Sequence, residues 1–288
     1  MITFNRLSTV VIWLSASRYL FQARSNFELI CLNGLRHLRP ALFVNPRMLI
    51  ERAAELSLES RRSRRLRGTP GAQLRGALLD SLELLELLPF SPNVVYDIGA
   101  NVGTWTLLAK SLYPLAEVIA FEPLAWHCVA FLRTTTDLQN VSLHKVALGY
   151  MSGQFDMHVP TQSESASLLP LAPACEEIFH LKFDRNVTVR VERLDDYVQE
   201  RKLPVPDLIK LDVQGFEGEV LLGGTRAVKN AKAVIAEASF KEFYKGQCRF
   251  DQLVSILAEA GLYVHALGTR TVLGRRLDQC DVLFLRSL

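Results

Sequence analysis

The chain is poor in the features that mark several common protein classes. Cysteine is sparse, five among 288 residues. Cys31, Cys128, Cys175, Cys248 and Cys280 are scattered, odd in number and without a C-x-x-C pair or zinc spacing. A disulfide scaffold and a zinc module are therefore disfavoured. The thiols read as reduced and cytoplasmic, with Cys128 and Cys280 as small buried hydrophobes. The N-terminal apolar patch Val10, Val11, Ile12, Trp13 and Leu14 is far shorter than the roughly 20 residues a bilayer crossing needs. An export signal sits poorly with reduced thiols and with the nucleotide-type core described next. The patch is expected to pack within the fold or in a homodimer, with weak membrane-surface contact through the N-terminal extension as the alternative. The net charge of +3 lacks the basic bias of a nucleic-acid binder. No internal repeat is present.

What is present is globular: 49% hydrophobic and 22% charged residues, enough apolar side chains for a sizeable core. The basic excess is concentrated in Arg61, Arg62, Arg64, Arg65 and Arg67, which read as a solvated face or linker ending at Gly68-Thr69-Pro70-Gly71. Upstream, residues 25–59 carry helix-like apolar spacing broken by Gly34, Pro40 and Pro46. The expected organisation is a helical extension over residues 1–70 and one catalytic domain over 71–288. Leu74, Leu78, Leu79, Leu82, Leu85 and Leu88 recur every three or four positions and predict an amphipathic helix from Ala72 to Leu88.

Beyond Pro92, short β-branched runs alternate with helical patterns, which predicts a doubly wound α/β fold with a mostly parallel seven-stranded sheet. Strands are expected at Asn93–Asp97, Glu117–Phe121, Val141–Val146, Leu208–Asp212, Ala233–Glu237, Tyr263–Ala266 and Val282–Leu285. Helices are expected at Val102–Leu112, Leu124–Thr136, Phe216–Leu222 and Asp251–Ala260. Between residues 150 and 200 the rhythm is lost. Antiparallel strands at Gln154–Val159 and Asn186–Val191, then a short helix from Leu194, would form an insertion able to reach over the crevice at the strand ends.

The first strand, Val94-Val95-Tyr96-Asp97, runs into D-x-G-x-x-x-G. Gly99 lets the chain turn sharply and allows a ligand close to the backbone, Gly103 permits tight helix packing, and Asp97 offers a carboxylate to a cationic amine. The turn is neither the G-x-G-x-x-G of a pyrophosphate site nor a P-loop. S-adenosylmethionine has no pyrophosphate and carries such an amine, so an open turn with one acid suits it. The second strand ends in Phe121-Glu122-Pro123, with Glu122 roughly 20 residues beyond the last glycine, where doubly wound folds place a ribose-binding carboxylate. Backbone near Val146 and Ala147, after the third strand, is expected to face an adenine edge. The expected cofactor set is thus Asp97, Gly99, Asn101, Gly103, Glu122, Pro123, Val146 and Ala147. His127 is expected at the surface.

In order, Asp97-Ile98-Gly99-Ala100-Asn101-Val102-Gly103, Phe121-Glu122-Pro123, Ala147-Leu148-Gly149, Leu194-Asp195-Asp196 and Ile209-Lys210-Leu211-Asp212-Val213-Gln214-Gly215-Phe216-Glu217 resemble the signatures of the FkbM family of methyltransferases. The resemblance covers about half of the chain, residues 93–240, and departs from the family pattern at Gln214, where Glu is more usual. It implies the class I methyltransferase (Rossmann-like) fold, S-adenosyl-L-methionine as donor, and a hydroxyl acceptor on a sugar, glycan or glycolipid, or polyketide.

The fourth strand carries Lys210 and Asp212, which alternation sends to the same side. Charged residues in an apolar strand are costly unless paired, so they form either a structural ion pair or a tuned acid/base set. Asp212 is the first candidate for general base, with Lys210 orienting it or steadying a developing alkoxide. Glu237, on the fifth strand, is a second candidate on the acceptor side. No spacing demands a metal. Ser163 to Ser167 and His180 could meet the acceptor, though exposed loop polarity explains them as well. The rival reading is a non-catalytic protein that keeps the cofactor fold as a scaffold.

Overall fold

A computed structural model of the chain describes residues 57, 60–75, 79, 81–273 and 276–287, without the side chains of 269–276. The expected helical extension falls largely outside the described residues. The chain divides into two compact units, Met1–Arg61 and Arg62–Leu288, and the second carries the sheet and the site. Residues expected at the end of the extension or in a linker belong to this second unit. Leu66 is fully buried. The Arg62 guanidinium grips Glu83 through two bonds of 2.6 and 2.9 Å, and Arg65 reaches Glu86 at 2.6 Å. Part of the arginine run is thus a docked helix face, because the acids of the next segment lie opposite it.

The seven-stranded sheet has the order β3-β2-β1-β7-β8-β10-β9. Its strands are β1 (Val94–Ile98), β2 (Glu117–Phe121), β3 (Val141–His144), β7 (Leu208–Leu211), β8 (Ala233–Ser239), β9 (Leu262–Leu273) and β10 (Arg276–Arg286). The pairs among the first five are parallel, and β10 runs antiparallel between β8 and β9. This is the class I methyltransferase arrangement. The central strands are buried on both faces, which is why they read as continuous apolar runs. Tyr96, Ile98, Ile119, Phe121, Ile209 and Leu211 pack to one side, while Val95, Val118, Leu208 and Ile235 pack to the other. Helices α2 (Thr104–Leu112) and α3 (Ala125–Thr134) follow β1 and β2. Helix α6 (Glu217–Gly223) and helix α7 (Thr225–Asn230) follow β7, and α8 (Phe250–Glu259) follows β8. The strand order turns from β1 to β7, so a crevice opens at their C-terminal ends.

The insertion holds a separate three-stranded sheet, β4-β6-β5, made by β4 (Ala147–Gly149), β5 (Gly153–Pro160) and β6 (Phe183–Arg193). β5 and β6 form the expected antiparallel pair. Helix α4 (Pro173–Phe179) lies between them, and α5 (Leu194–Arg201) succeeds them.

Two expectations need correction. Ala72–Leu88 is not one helix: a 3-10 turn covers Pro70–Gln73, Leu74 is extended, and a short helix α1 spans Leu82–Glu86. The Gly71 amide is drawn to the Ser111 hydroxyl at 2.7 Å, and Leu74, Leu79, Leu82, Leu84 and Leu85 are all buried without a continuous helical stripe. The third strand ends at His144 rather than Val146, because the Val146 amide turns back to the His144 carbonyl at 2.9 Å and Ala147 starts pairing in the second sheet.

Leu194-Asp195-Asp196 has a structural use. Buried Asp195 accepts from the Arg226 and Ala227 amides at 2.9 and 3.0 Å and from the Thr225 hydroxyl at 3.2 Å, capping the start of α7. Asp195→Ala is expected to lower stability by about 2–3 kcal/mol, the loss of several bonds to a buried carboxylate. Denaturant melts would show the loss, with cofactor affinity unchanged.

Candidate active site

A cavity of about 330 Å³ lies over the C-terminal ends of β1, β2, β7 and β8, the low end of the size range of small-molecule sites. The turn after β1 builds its floor. The amides of Gly99 and Ala100 both reach the Phe121 carbonyl at 3.0 Å, which fastens the turn to the end of β2. Gly99 has φ +82°, and a Cβ there would stand 1.9 Å from the Asp212 carbonyl oxygen. The close approach that demands glycine is therefore to the end of β7. Gly103, at φ +85°, sits under the Phe131 ring, 2.9 Å from where its Cβ would be, so it serves helix packing as expected and does not line the cavity.

Glu122 is buried on the cavity wall. Its Oε2 accepts from the Asn101 amide at 3.0 Å and its Oε1 from the Leu124 amide at 2.9 Å, leaving lone pairs for hydroxyl donors. Gly99, Asn101, Pro123, Val146 and Ala147 also line the wall. One expectation fails here. His127 is only 5% exposed. It lies on the wall, with Nδ1 at 3.4 Å from Glu122 Oε1 and Nε2 at 2.9 Å from Ser163 Oγ, since α3 turns that face onto the carboxylate. Asp97 is fully buried and absent from the wall. Its Oδ2 accepts from the Thr106 hydroxyl at 2.6 Å, which draws that oxygen toward α2, while its Oδ1 is buried without a hydrogen-bond partner among the described residues. Burial raises its pKa above the ordinary aspartate range, against the pull of Lys210 and Thr106.

At the other end, Lys210, Asp212 and Glu237 line the same cavity. Lys210 Nζ lies 3.0 Å from Asp212 Oδ2. Burial opposes its charge, but Asp212 and Asp97 prevail and hold its pKa above the usual lysine value. The Gln214 amide donates to Asp212 Oδ1 at 2.7 Å and to Glu237 Oε2 at 3.3 Å. Burial, then Asp212, push the pKa of Glu237 well above that of an ordinary glutamate. The two carboxylates therefore differ: Asp212 has an ammonium partner at contact, whereas Glu237 sits where a proton is favoured, the arrangement that separates acid from base roles.

The family comparison bears directly on this site. The Methyltransferase FkbM domain model matches residues 97–263, more than half of the 288 residues. The chain belongs to the FkbM methyltransferase family. S-adenosylmethionine is the methyl donor of that class. This FkbM chain is 28% identical over 183 residues to the 2-O-methyltransferase NoeI of Sinorhizobium fredii, covering 61% of this chain and 75% of that protein. It is 28% identical over 145 residues to the hexuronic acid methyltransferase AglP of Haloferax volcanii, covering 50% of this chain and 55% of that protein. A solved FkbM methyltransferase from Methylobacillus flagellatus is similar at TM-score 0.45 and 18% identity, over 82% of this chain and 60% of that one.

The residues present fit the donor. Among the described residues, Asp97 Oδ1, Asn101 Oδ1 and Trp105 Nε1 are buried without a hydrogen-bond partner, and Asn101 and Trp105 line the cavity beside the β1 turn. Orphaned polar atoms of this kind call for a partner, and a nucleoside bearing an amino acid supplies donors and acceptors. Trp105 went unnoticed in the sequence because a tryptophan in a helix reads as core. Ser81, Gln279 and Asp281 also line the wall, the Ser81 hydroxyl donating to Asp281 at 2.6 Å. Nothing local marks them, because they come from the far edge of the sheet and from α1's approach. Asp281 could have been found through its register: it stands opposite Glu237 in the antiparallel pair. Ser163 and Glu164 line the cavity, whereas Ser167 is buried and not on the wall, and His180 caps α4 in a left-handed conformation, also off the wall. Among the described residues no helix is long and apolar enough to cross a membrane.

Glu217 anchors the turn that presents Gln214. Its Oε1 accepts from the Val213 and Gly215 amides at 3.0 and 3.2 Å, across two successive left-handed residues, Gln214 at φ 56° and Gly215 at φ 93°. Burial pushes its pKa up to about 7. Between the unfolded value near 4.5 and about 7 the folded chain holds a proton that the unfolded chain has lost, so stability falls as pH rises through that window and levels off above it. Glu217→Gln is expected to flatten this slope, worth up to about 3 kcal/mol, in denaturant titrations from pH 4.5 to 8.

Proposed function

We propose that the chain moves a methyl group from S-adenosylmethionine to a hydroxyl oxygen of a sugar, glycan or glycolipid, or polyketide-type acceptor. The observation that carries this reading is one cavity with Glu122 at one end and the Lys210–Asp212 pair with Glu237 at the other. The bound donor supplies an electrophilic methyl on a sulfonium. Glu122 accepts the ribose hydroxyls, with Asn101 and Trp105 meeting the remaining polar groups of the donor and Val146 and Ala147 bordering its base. Asp97 supports this floor from beneath and balances the charge of Lys210.

At the acceptor end the chain orients an oxygen for in-line attack, where positioning contributes most. Asp212 accepts the hydroxyl proton as the new O–C bond forms and the S–C bond breaks. Lys210 holds the carboxylate in place and offsets the negative charge growing on the oxygen. Glu237, favouring its proton, donates to a neighbouring acceptor oxygen. A relative named as a 2-O-methyltransferase supports oxygen as the methylated atom, and one named for hexuronic acid supports a sugar-type acceptor. Four free cysteines among the described residues are in keeping with a cytoplasmic enzyme.

Calorimetry with S-adenosylmethionine, followed by a panel of methyl hexosides, glycolipids and polyketide alcohols assayed for S-adenosylhomocysteine release, tests the reading. Binding with turnover of a hydroxylated acceptor is expected. Binding without turnover on any of them would favour a scaffold, and no binding at all would overturn both. Glu122→Ala should weaken donor binding by about ten- to hundredfold, the loss of hydrogen bonds to a charged group. Asp212→Asn should leave donor affinity intact while lowering kcat by about 10²–10⁴, the scale of a lost general base.

A further inference from the structure

Gln214 is not on the cavity wall, yet four parts of the unit converge on it. Its two amide hydrogens face Asp212 Oδ1 and Glu237 Oε2 at 2.7 and 3.3 Å. Its side-chain carbonyl accepts from the Tyr244 hydroxyl at 2.8 Å, and that hydroxyl also lies 2.9 Å from the Ser165 carbonyl. Its backbone carbonyl accepts from the Ser167 hydroxyl at 2.7 Å. Ser165 and Ser167 belong to the insertion, and Tyr244 to the segment after β8.

Two half-buried carboxyl groups so near one another repel whenever both are ionised, unless a donor stands between them. A carboxylate there would set a further negative charge against Asp212, and an apolar side chain would leave the two facing oxygens without this donor. The amide is neutral and has two hydrogens on one nitrogen, one for each acid. The acids decide which way the amide points: their oxygens face it and call for donors, so the N–H end turns to them and the amide oxygen is left to share the Tyr244 hydroxyl hydrogen with the Ser165 carbonyl. The strained left-handed backbone of Gln214 persists because Ser167 and the Glu217 anchor hold it from both sides.

We infer that Gln214 is the positioning residue of the acceptor end: its amide sets the spacing and orientation of the Asp212–Glu237 pair, and it does so only while the insertion, through Ser165 and Ser167, is docked on it. The inference rests on the proposed hydroxyl methylation. It makes the covering insertion part of the acid pair's geometry, so that the reacting end is assembled only when the cavity is covered.

Gln214→Met keeps the length and removes the donors. Gln214→Glu restores one O–H donor when protonated and adds a negative charge beside Asp212 when not. With a methyl hexoside that the wild type turns over, Gln214→Met should lower kcat/KM by about ten- to hundredfold, while S-adenosylhomocysteine affinity and melting midpoint stay at wild-type values. Gln214→Glu should recover activity relative to wild type as pH is lowered, whereas Gln214→Met should not. Tyr244→Phe should resemble a milder Gln214→Met. Equal pH profiles for the two Gln214 variants, or wild-type kcat/KM in Gln214→Met, would overturn the inference. Absence of turnover by the wild type would count against the methylation reading instead. In that case the same variants are compared by ¹³C carboxyl titration with S-adenosylhomocysteine bound. A Glu237 titration displaced upward in Gln214→Met supports positioning, and one left in place sinks it.

Discussion

The backbone of the β1 turn and the end of β7 touch at Gly99 and Asp212, so closely that a single methyl group at Gly99 would stand 1.9 Å from the Asp212 carbonyl oxygen. Everything chemical in the molecule depends on that contact. It brings the floor of the donor site and the tip of the charged strand into one cavity, at the point where the sheet's strand order reverses. The Phe121 carbonyl, accepting from Gly99 and Ala100, secures the same turn from the β2 side. The turn is therefore fixed by both neighbours of its own strand, which is what allows Glu122 and Asp212 to face a shared space.

Charge is handled within the same small region. Lys210 lies between Asp97 and Asp212 in its electrostatic influence, and these two acids keep a buried ammonium charged where burial alone would strip its proton. Among the described residues Glu237 has no ammonium partner at contact; an amide reaches it instead. Removing one member of such a set leaves the others uncompensated, which makes a buried ionic cluster costly to disturb and well suited to hold one geometry.

The insertion closes the arrangement. Its turn at Ser163–Ser165 meets His127 on the donor side and Tyr244 on the acceptor side, so a single covering segment is tied to both ends of the cavity. The short sheet that carries it starts at Ala147, immediately after the main sheet's third strand stops pairing.

Period and punctuation in the chain were enough to reveal the alternating strands and helices, the glycine turn after Asp97, the acid at the end of β2 and the Lys210–Asp212 pair, because each is a local pattern whose meaning does not depend on distant residues. The direction of side chains was less legible. Asp97 looked like an acid open at the strand end, and the fold buries it with one oxygen tied to Thr106; His127 looked like a surface residue, and Glu122 draws it onto the wall. The leucines of 72–88 promised one helix, but burial against several partners broke it into turns. Asp281, Ser81, Trp105 and the role of Gln214 came from tertiary structure alone. What the amino-acid order determined by itself was the fold class and the chemistry available at the strand ends. Which of those groups meet in one cavity, and which lie beneath it, was decided by long-range packing, because strand order, helix rotation and the docking of the insertion join residues far apart in the chain.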